Sequence, residues 1–159
     1  MNIGGNQTNR QRRETMGEKT LALIKPDAMA AGHAGKIIDT VIDDGFRIIG
    51  LKQVRLTRER AAAFYAVHTG RPFYDKLVEY MSSGPIIALA LDADDAIGRW
   101  RRLMGATDPA RAAPGTIRRL FGISEPGAKL QKNAVHGSDS TANANVEIRF
   151  FFSPEELVR

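Results

Sequence analysis

The chain has 159 residues, 43% of them hydrophobic, which is enough for one domain with a sizeable core. It has no cysteine, no apolar run near membrane-span length and no apolar signal core at the N-terminus, so disulfides, thiolate chemistry and a spanning helix are excluded and the cytoplasm is the expected compartment. The net charge is +5, but the arginines are scattered rather than grouped with aromatics, which makes a nucleotide a better partner than a nucleic acid.

Met1 to Gly17 is polar and nearly without apolar side chains. Such a segment buries too little surface to offset its ordering entropy, so a mobile tail is expected, with the folded domain over residues 18–159. A transit peptide and a true start at Met16 are the other readings of this stretch. Thr20 to Ile24 predicts a short buried strand running into Lys25-Pro26-Asp27, where Pro26 ends the pairing and leaves Lys25 at the strand end. Gly32 to Ile37 superficially matches a phosphate loop, but its glycines are too close and Ile37 stands where a metal-binding hydroxyl is required. His33 is read as a surface loop residue. Gly35 to Asp44 predicts a helix with Ile37, Ile38, Val41 and Ile42 on one face and Gly45 as its stop.

Phe46 to Leu56 is β-prone, with Gly50 marking a bulge or a close approach. Thr57 caps a helix to Val67 that carries Phe64 and Tyr65, and His68 to Arg71 is a turn. Pro72 opens the next helix, with Phe73, Leu77, Val78 and Met81 on one face. Pro85 to Leu91 is a continuous apolar run, as in a central strand. Asp92 to Met104 predicts a helix with acids at its start, arginines near its end, and Ala96, Ile97, Trp100, Leu103 and Met104 buried. Gly105 to Gly115 is a loop, Thr116 to Phe121 a helical turn, and Gly122 to Lys132 an exposed loop. A short strand follows at Ala134 to His136, then a helix from Thr141 to Ile148 capped by Ser140, the apolar segment Phe150 to Phe152, and a last turn at Ser153 to Glu156. This order predicts an α+β fold: a ferredoxin-like βαββαβ sandwich, a four-stranded antiparallel sheet with helices packed on one face.

The chemistry centres on Asn133-Ala134-Val135-His136-Gly137-Ser138-Asp139-Ser140. Small neighbours leave the imidazole of His136 open to a ligand, and the hydroxyls and carboxylate nearby can orient a ring nitrogen or cap a helix. No second His or Cys stands at ligand spacing, so a metal site of side chains is not expected.

Lys25-Pro26-Asp27, Arg71-Pro72-Phe73, Ser83-Gly84-Pro85, Gly105 to Pro109, Pro114 to Arg118 and Asn133 to Ser140 occur in an order that resembles the nucleoside diphosphate kinases over Glu18 to Arg159. The resemblance implies that His136 takes the terminal phosphate of a nucleoside triphosphate, forms a pros-phosphohistidine and passes the group to a nucleoside diphosphate, a ping-pong reaction. It implies Lys25 and Arg118 at the transferred phosphoryl, Arg101 and Thr107 at the next phosphate, and Asn133 at the sugar hydroxyl. Phe73 would stack on the base, Glu147 and Ser138 would orient the imidazole, and Tyr65 would line the pocket. Magnesium bridging the nucleotide phosphates and a homotetramer or homohexamer built from dimers are implied as well. The residue types suit the task, because phosphoryl transfer needs neutralised oxygens and aligned atoms, and Lys25, Arg101 and Arg118 with one metal roughly match a triphosphate.

Taken singly, Phe73 and Tyr65 sit at core-like positions, Arg101 is an ordinary helix C-terminal cation and Thr107 a turn residue. Their ordered co-occurrence is what outweighs those readings. A nucleotide-responsive or nucleic-acid-binding module is the competing class, resting on the positive charge and the arginines of the tail. The segment Ser124 to Lys132 is longer than the family pattern and is expected beside the nucleotide.

Overall fold

The computed structural model describes residues 17–159, so the tail expected over Met1 to Gly17 lies outside the described residues except for Gly17 itself. In chain order the elements are β1 (Glu18–Ile24), α1 (Pro26–Ala30), α2 (Ala34–Asp43), β2 (Arg47–Val54), α3 (Arg58–Phe64), a 3-10 turn (Ala66–His68), α4 (Tyr74–Met81), β3 (Ile86–Ala93), α5 (Ala96–Met104), α6 (Ile117–Phe121), β4 (Val135–Gly137), α7 (Thr141–Phe151) and a closing 3-10 turn (Pro154–Glu156). The four strands form one antiparallel sheet in the order β2-β3-β1-β4. This is the ferredoxin-like plan, with α2 and α5 in the crossovers.

The sheet is covered on both faces, which extends the one-face packing expected above. Along β1, Leu21 and Leu23 point one way and Ala22 and Ile24 the other; along β3, Ile86, Ala88 and Ala90 oppose Ile87, Leu89 and Leu91. The first set packs under Ala61 of α3, Leu77, Val78 and Met81 of α4, and Ile148 and Phe151 of α7. The second packs under Ile37 and Val41 of α2, Trp100 and Met104 of α5, and Ile117 of α6. Two-sided burial is why both central strands read as unbroken apolar runs rather than as alternation.

Several boundaries move for physical reasons. Lys25-Pro26-Asp27 is not only a turn: Pro26 sits at the first position of α1, where its missing N–H costs nothing. Asp92 does not open a helix. It is the penultimate residue of β3, paired with Lys19 and Arg47 across the ladders, 1% exposed and bridged by Arg47 at 3.6 Å and Arg159 at 3.2 Å. The α4 helix starts at Tyr74 rather than Pro72, and α7 runs on through Phe151. Ile42, expected in the core, is 54% exposed. His33 is half-buried, its ring 4.8 Å from that of Phe121. Gly50 does both things expected of it: the register slips between Ile48 and Gly50, and a Cβ there would lie 2.9 Å from Phe152. Thr57 and Ser140 cap α3 and α7 by accepting the backbone N–H of Arg60 and Asn143, each at 3.1 Å.

Register brings the chemistry together. Leu23 pairs with His136 and Ile24 with Val135, so the residue after β1, Lys25, emerges beside the residue before β4, Ala134. The α5 helix packs behind that point, where Trp100 Nε1 donates to the His136 carbonyl at 3.1 Å. This close approach needs Gly137, because a Cβ there would sit 2.5 Å from Trp100 Cδ1 and 2.6 Å from Met104 Cε. Both neighbours are buried and cannot yield. Gly137→Ala is therefore expected to destabilise the fold by about 1–3 kcal/mol through overpacking, read from urea unfolding midpoints.

Candidate active site

The candidate residues gather where β1 ends and β4 begins. Lys25 is 7% exposed and its Nζ donates to Asn133 Oδ1 at 2.8 Å. Asn133, also buried, donates its Nδ2 to the Thr107 carbonyl at 2.9 Å. Burial lowers the Lys25 ammonium to about 7, Arg118 adds repulsion, and Asp27 opposes both. Arg118 reaches in from α6. Its Nη1 donates to the Gly105 carbonyl at 3.2 Å and its Nη2 to the Val135 carbonyl at 3.0 Å. Its Nε is buried with no hydrogen-bond partner among the described residues. Burial first, then Arg101, bring this guanidinium down to about 10. Neutral carbonyls and an amide thus accept some of the donors of these two side chains without neutralising their charge.

Between them stands His136, its side chain 20% exposed. Nε2 bonds Glu147 Oε1 of α7, which fixes the tautomer and leaves Nδ1 as the ring nitrogen with a free lone pair. Burial lowers the imidazole's proton affinity most; Glu147 raises it; Lys25 and Arg118 lower it again. The net direction is downward, which favours the neutral ring. Phe64 and Tyr65 meet it edge-on at centroid distances of 5.4 and 6.1 Å.

The backbone leading to His136 is strained. Ala134 has φ 69, in the left-handed region, and the Val135 N–H bonds back to the Asn133 carbonyl at 2.8 Å, closing a three-residue γ-turn. For a side chain with a Cβ this conformation costs on the order of 1–3 kcal/mol and persists only where surroundings hold it. They do: Ala134 N–H donates to Asp27 Oδ2 at 3.0 Å, and its carbonyl accepts the Lys25 N–H at 2.8 Å. The other oxygen of Asp27 accepts the Tyr80 hydroxyl, which in turn accepts the Asp27 N–H at 3.2 Å.

The remaining expected site residues fall around this centre. Arg101 and Thr107 are exposed at its rim, with Arg101 close enough to act electrostatically on Arg118 and Asp139. Phe73 is half-buried just before α4, its ring 5.3 Å from that of His68, which stacks on Tyr65 at 6.3 Å. Tyr65 is buried with no hydrogen-bond partner for its hydroxyl among the described residues, and burial and then Glu147 push that hydroxyl well above its ordinary value. Ser138, expected to orient the imidazole, instead accepts the Leu21 N–H at 3.2 Å and so ties β4 to β1. The extended loop is pinned by Ile123 and Lys132 in a single bridge, and Leu130 packs against the same cluster as Tyr65 and Phe73.

Sequence reasoning missed three residues here. Phe64 was visible only as a helix aromatic. Asp27 was in a recognised tripeptide with no task of its own, and Tyr80 had no signal at all, since its partner lies 53 residues away.

Lys25, buried, and Arg118, half-buried, lie near an imidazole oriented by a carboxylate on a ferredoxin-like sheet, an arrangement suited to phosphoryl transfer through a histidine. The match to known proteins gives the same class. The family model described as nucleoside diphosphate kinase matches residues 18–157. The nucleoside diphosphate kinase of Syntrophotalea carbinolica is 52% identical over 141 residues, covering 89% of this chain and 99% of its own length. That of Persephonella marina is 51% identical, with 89% and 97% covered. Among solved structures, the Aquifex aeolicus nucleoside diphosphate kinase superposes with a TM-score of 0.84 at 47% identity, covering 90% of this chain and all of that one. A halophilic nucleoside diphosphate kinase from Halobacterium salinarum, in complex with CDP, gives a TM-score of 0.82 at 38% identity, covering 91% and 93%. The chain belongs to the nucleoside diphosphate kinase family, phosphotransferases that move a terminal phosphoryl group between nucleotides by a ping-pong, phosphohistidine route.

Followed by NMR, the His136 ring is expected to titrate below the usual value of about 6.5. Glu147→Gln removes the charge that raises it, so the midpoint should fall further; a midpoint that rises would mean that Glu147 does not hold the ring.

Proposed function

We propose that His136 is the phosphorylated residue and that residues 18–159 form the catalytic domain. The observation that carries this reading is the imidazole held at Nε2 by Glu147, with Nδ1 left for attack and with Lys25 and Arg118 close enough to act on the ring. In the first half-reaction the Nδ1 lone pair attacks the terminal phosphorus, the bond to the bridging oxygen breaks, and the nucleoside diphosphate leaves. In the second, an oxygen of another nucleoside diphosphate attacks the phosphohistidine and the ring is regenerated neutral. Both steps exchange a phosphoanhydride for the same P–N bond, so the overall equilibrium lies near unity.

Lys25 and Arg118 bind the moving phosphoryl, with Arg101 and Thr107 at the rim for the next phosphate. Asn133, hydrogen-bonded to Lys25, takes the sugar hydroxyl. Phe73 stacks on the base, a contact that any base satisfies. Tyr65 and Phe64 wall the imidazole off from bulk water, and Ser138 keeps β4 in place. Magnesium fits this site as a companion of the nucleotide. Among the described residues no three His, Asp or Glu gather to hold a cation, and the carboxylates of Asp27 and Glu147 already have partners. When bound, the metal supplies charge neutralisation along the phosphate chain.

A homo-oligomer built from dimers, tetramer or hexamer, is part of the same proposal; β2 lies at a sheet edge and carries an exposed Leu51 that a second copy can cover. A cytoplasmic location belongs to the same proposal. Among the described residues no helix is long and apolar enough to cross a membrane.

Incubation with γ-labelled ATP and magnesium is expected to leave acid-labile label on the protein, and a chase with unlabelled GDP should release it as GTP. His136→Ala should take up none while keeping its fold; retained label would sink the assignment. Lys25 gives a second check. A bound triphosphate restores its charge, so binding above pH 7 takes up a proton. Calorimetry in buffers of different ionisation enthalpy should show that uptake, and Lys25→Met should abolish it.

A further inference from the structure

The γ-turn at Ala134 joins two residues with separate tasks, Asn133 and His136, and nothing in its own sequence favours a left-handed alanine. We propose that Asp27, backed by Tyr80, is a positioning residue: it clamps this turn and thereby sets the reach of Asn133 and the aim of the His136 ring. The inference rests on the phosphohistidine reading above and goes beyond it by giving a task to a carboxylate that the transfer chemistry leaves idle.

The contacts argue for a strut rather than for simple packing. Asp27 Oδ2 holds the Ala134 N–H at 3.0 Å, which leaves the Ala134 carbonyl to the Lys25 backbone at 2.8 Å. Asp27 Oδ1 is held by the Tyr80 hydroxyl, and that hydroxyl accepts the Asp27 N–H at 3.2 Å, so carboxylate and ring form a closed circuit with one rotamer each. Tyr80 sits near the end of α4, the helix whose first residue follows Phe73. The strut therefore ties the helix that presents the base-stacking ring to the turn that presents the imidazole. Lys25 and Arg118 also touch this turn, but their side chains are the ones that phosphate engages during transfer. Asp27 stays in place throughout.

The test is single-turnover labelling of the full chain by γ-labelled ATP, at a temperature where circular dichroism shows every variant folded, alongside nucleotide affinity by calorimetry. Asp27→Ala is expected to slow labelling roughly tenfold or more, with affinity within about threefold, as misalignment of a reacting atom does. Asp27→Asn keeps an acceptor for the Ala134 N–H and should restore the rate to within about threefold of wild type. Tyr80→Phe should fall between. A purely structural role moves the melting temperature but not the rate of the folded protein, so wild-type labelling by folded Asp27→Ala overturns the strut. If Asp27→Ala does not fold, Tyr80→Phe decides, and an unchanged rate there overturns it. Absence of label on wild type overturns instead the phosphohistidine reading on which the strut depends.

Discussion

A buried lysine, Lys25, and a half-buried arginine, Arg118, neither in an ion pair with a carboxylate among the described residues, are the constraint from which the rest of this molecule follows. The depression of Lys25 to about 7 corresponds to roughly 5 kcal/mol of unfavourable charging. A fold tolerates that only if something else compensates. The sheet buried on both faces supplies the dry surroundings, and the carbonyls of Gly105 and Val135 with the amide of Asn133 accept from Lys25 Nζ and from both terminal nitrogens of Arg118, leaving the Arg118 Nε without a partner among the described residues. None of these cancels the charge. The site is thus complementary to a polyanion, and its interactions strengthen when negative charge arrives.

The same field acts on His136, the proposed nucleophile. A cationic imidazole cannot attack phosphorus, and Lys25 and Arg118 oppose protonation of His136, as does burial. Glu147 works in the other direction, yet it is needed to hold the ring. The balance keeps the lone pair available and lets a carboxylate sit behind the ring to support positive charge as the P–N bond forms. Phe64 and Tyr65 close the sides with ring edges, which fix the imidazole without offering it a competing proton.

Elements with a local cause were legible in the sequence. Thr57, Ser140 and Gly50 did what short-range rules require of a cap, a cap and a bulge. The site was legible as an ordered set of motifs, and the sheet register then explains why residues so far apart in the chain meet. What stayed hidden depends on long-range pairing. Asp92 looks like a helix-opening acid until Lys19 and Arg47 pair with it across two ladders. The length of α7 depends on Phe151 finding a cluster built from the other elements. Ser138 and Tyr80 could not be assigned, because a hydroxyl's partner is set by which strand or helix lands beside it. The left-handed Ala134 goes against its residue type, as strained positions at functional sites do.

The strand order has a consequence for how the enzyme comes into being. Lys25 meets Asn133 across 108 residues, Asp27 meets Ala134 across 107, and Leu21 meets Ser138 across 117. Strand β1 leaves the ribosome first of the four and must wait for β4, the last, before its edge is paired and its lysine is partnered. Contacts of such span carry the largest loop-closure entropy and form late in folding. A nascent chain can build the β2-β3-β1 sheet and its α2 cover with Lys25 already in place, but it lacks the imidazole until β4 closes the sheet and the oriented imidazole until α7 brings Glu147 behind the ring.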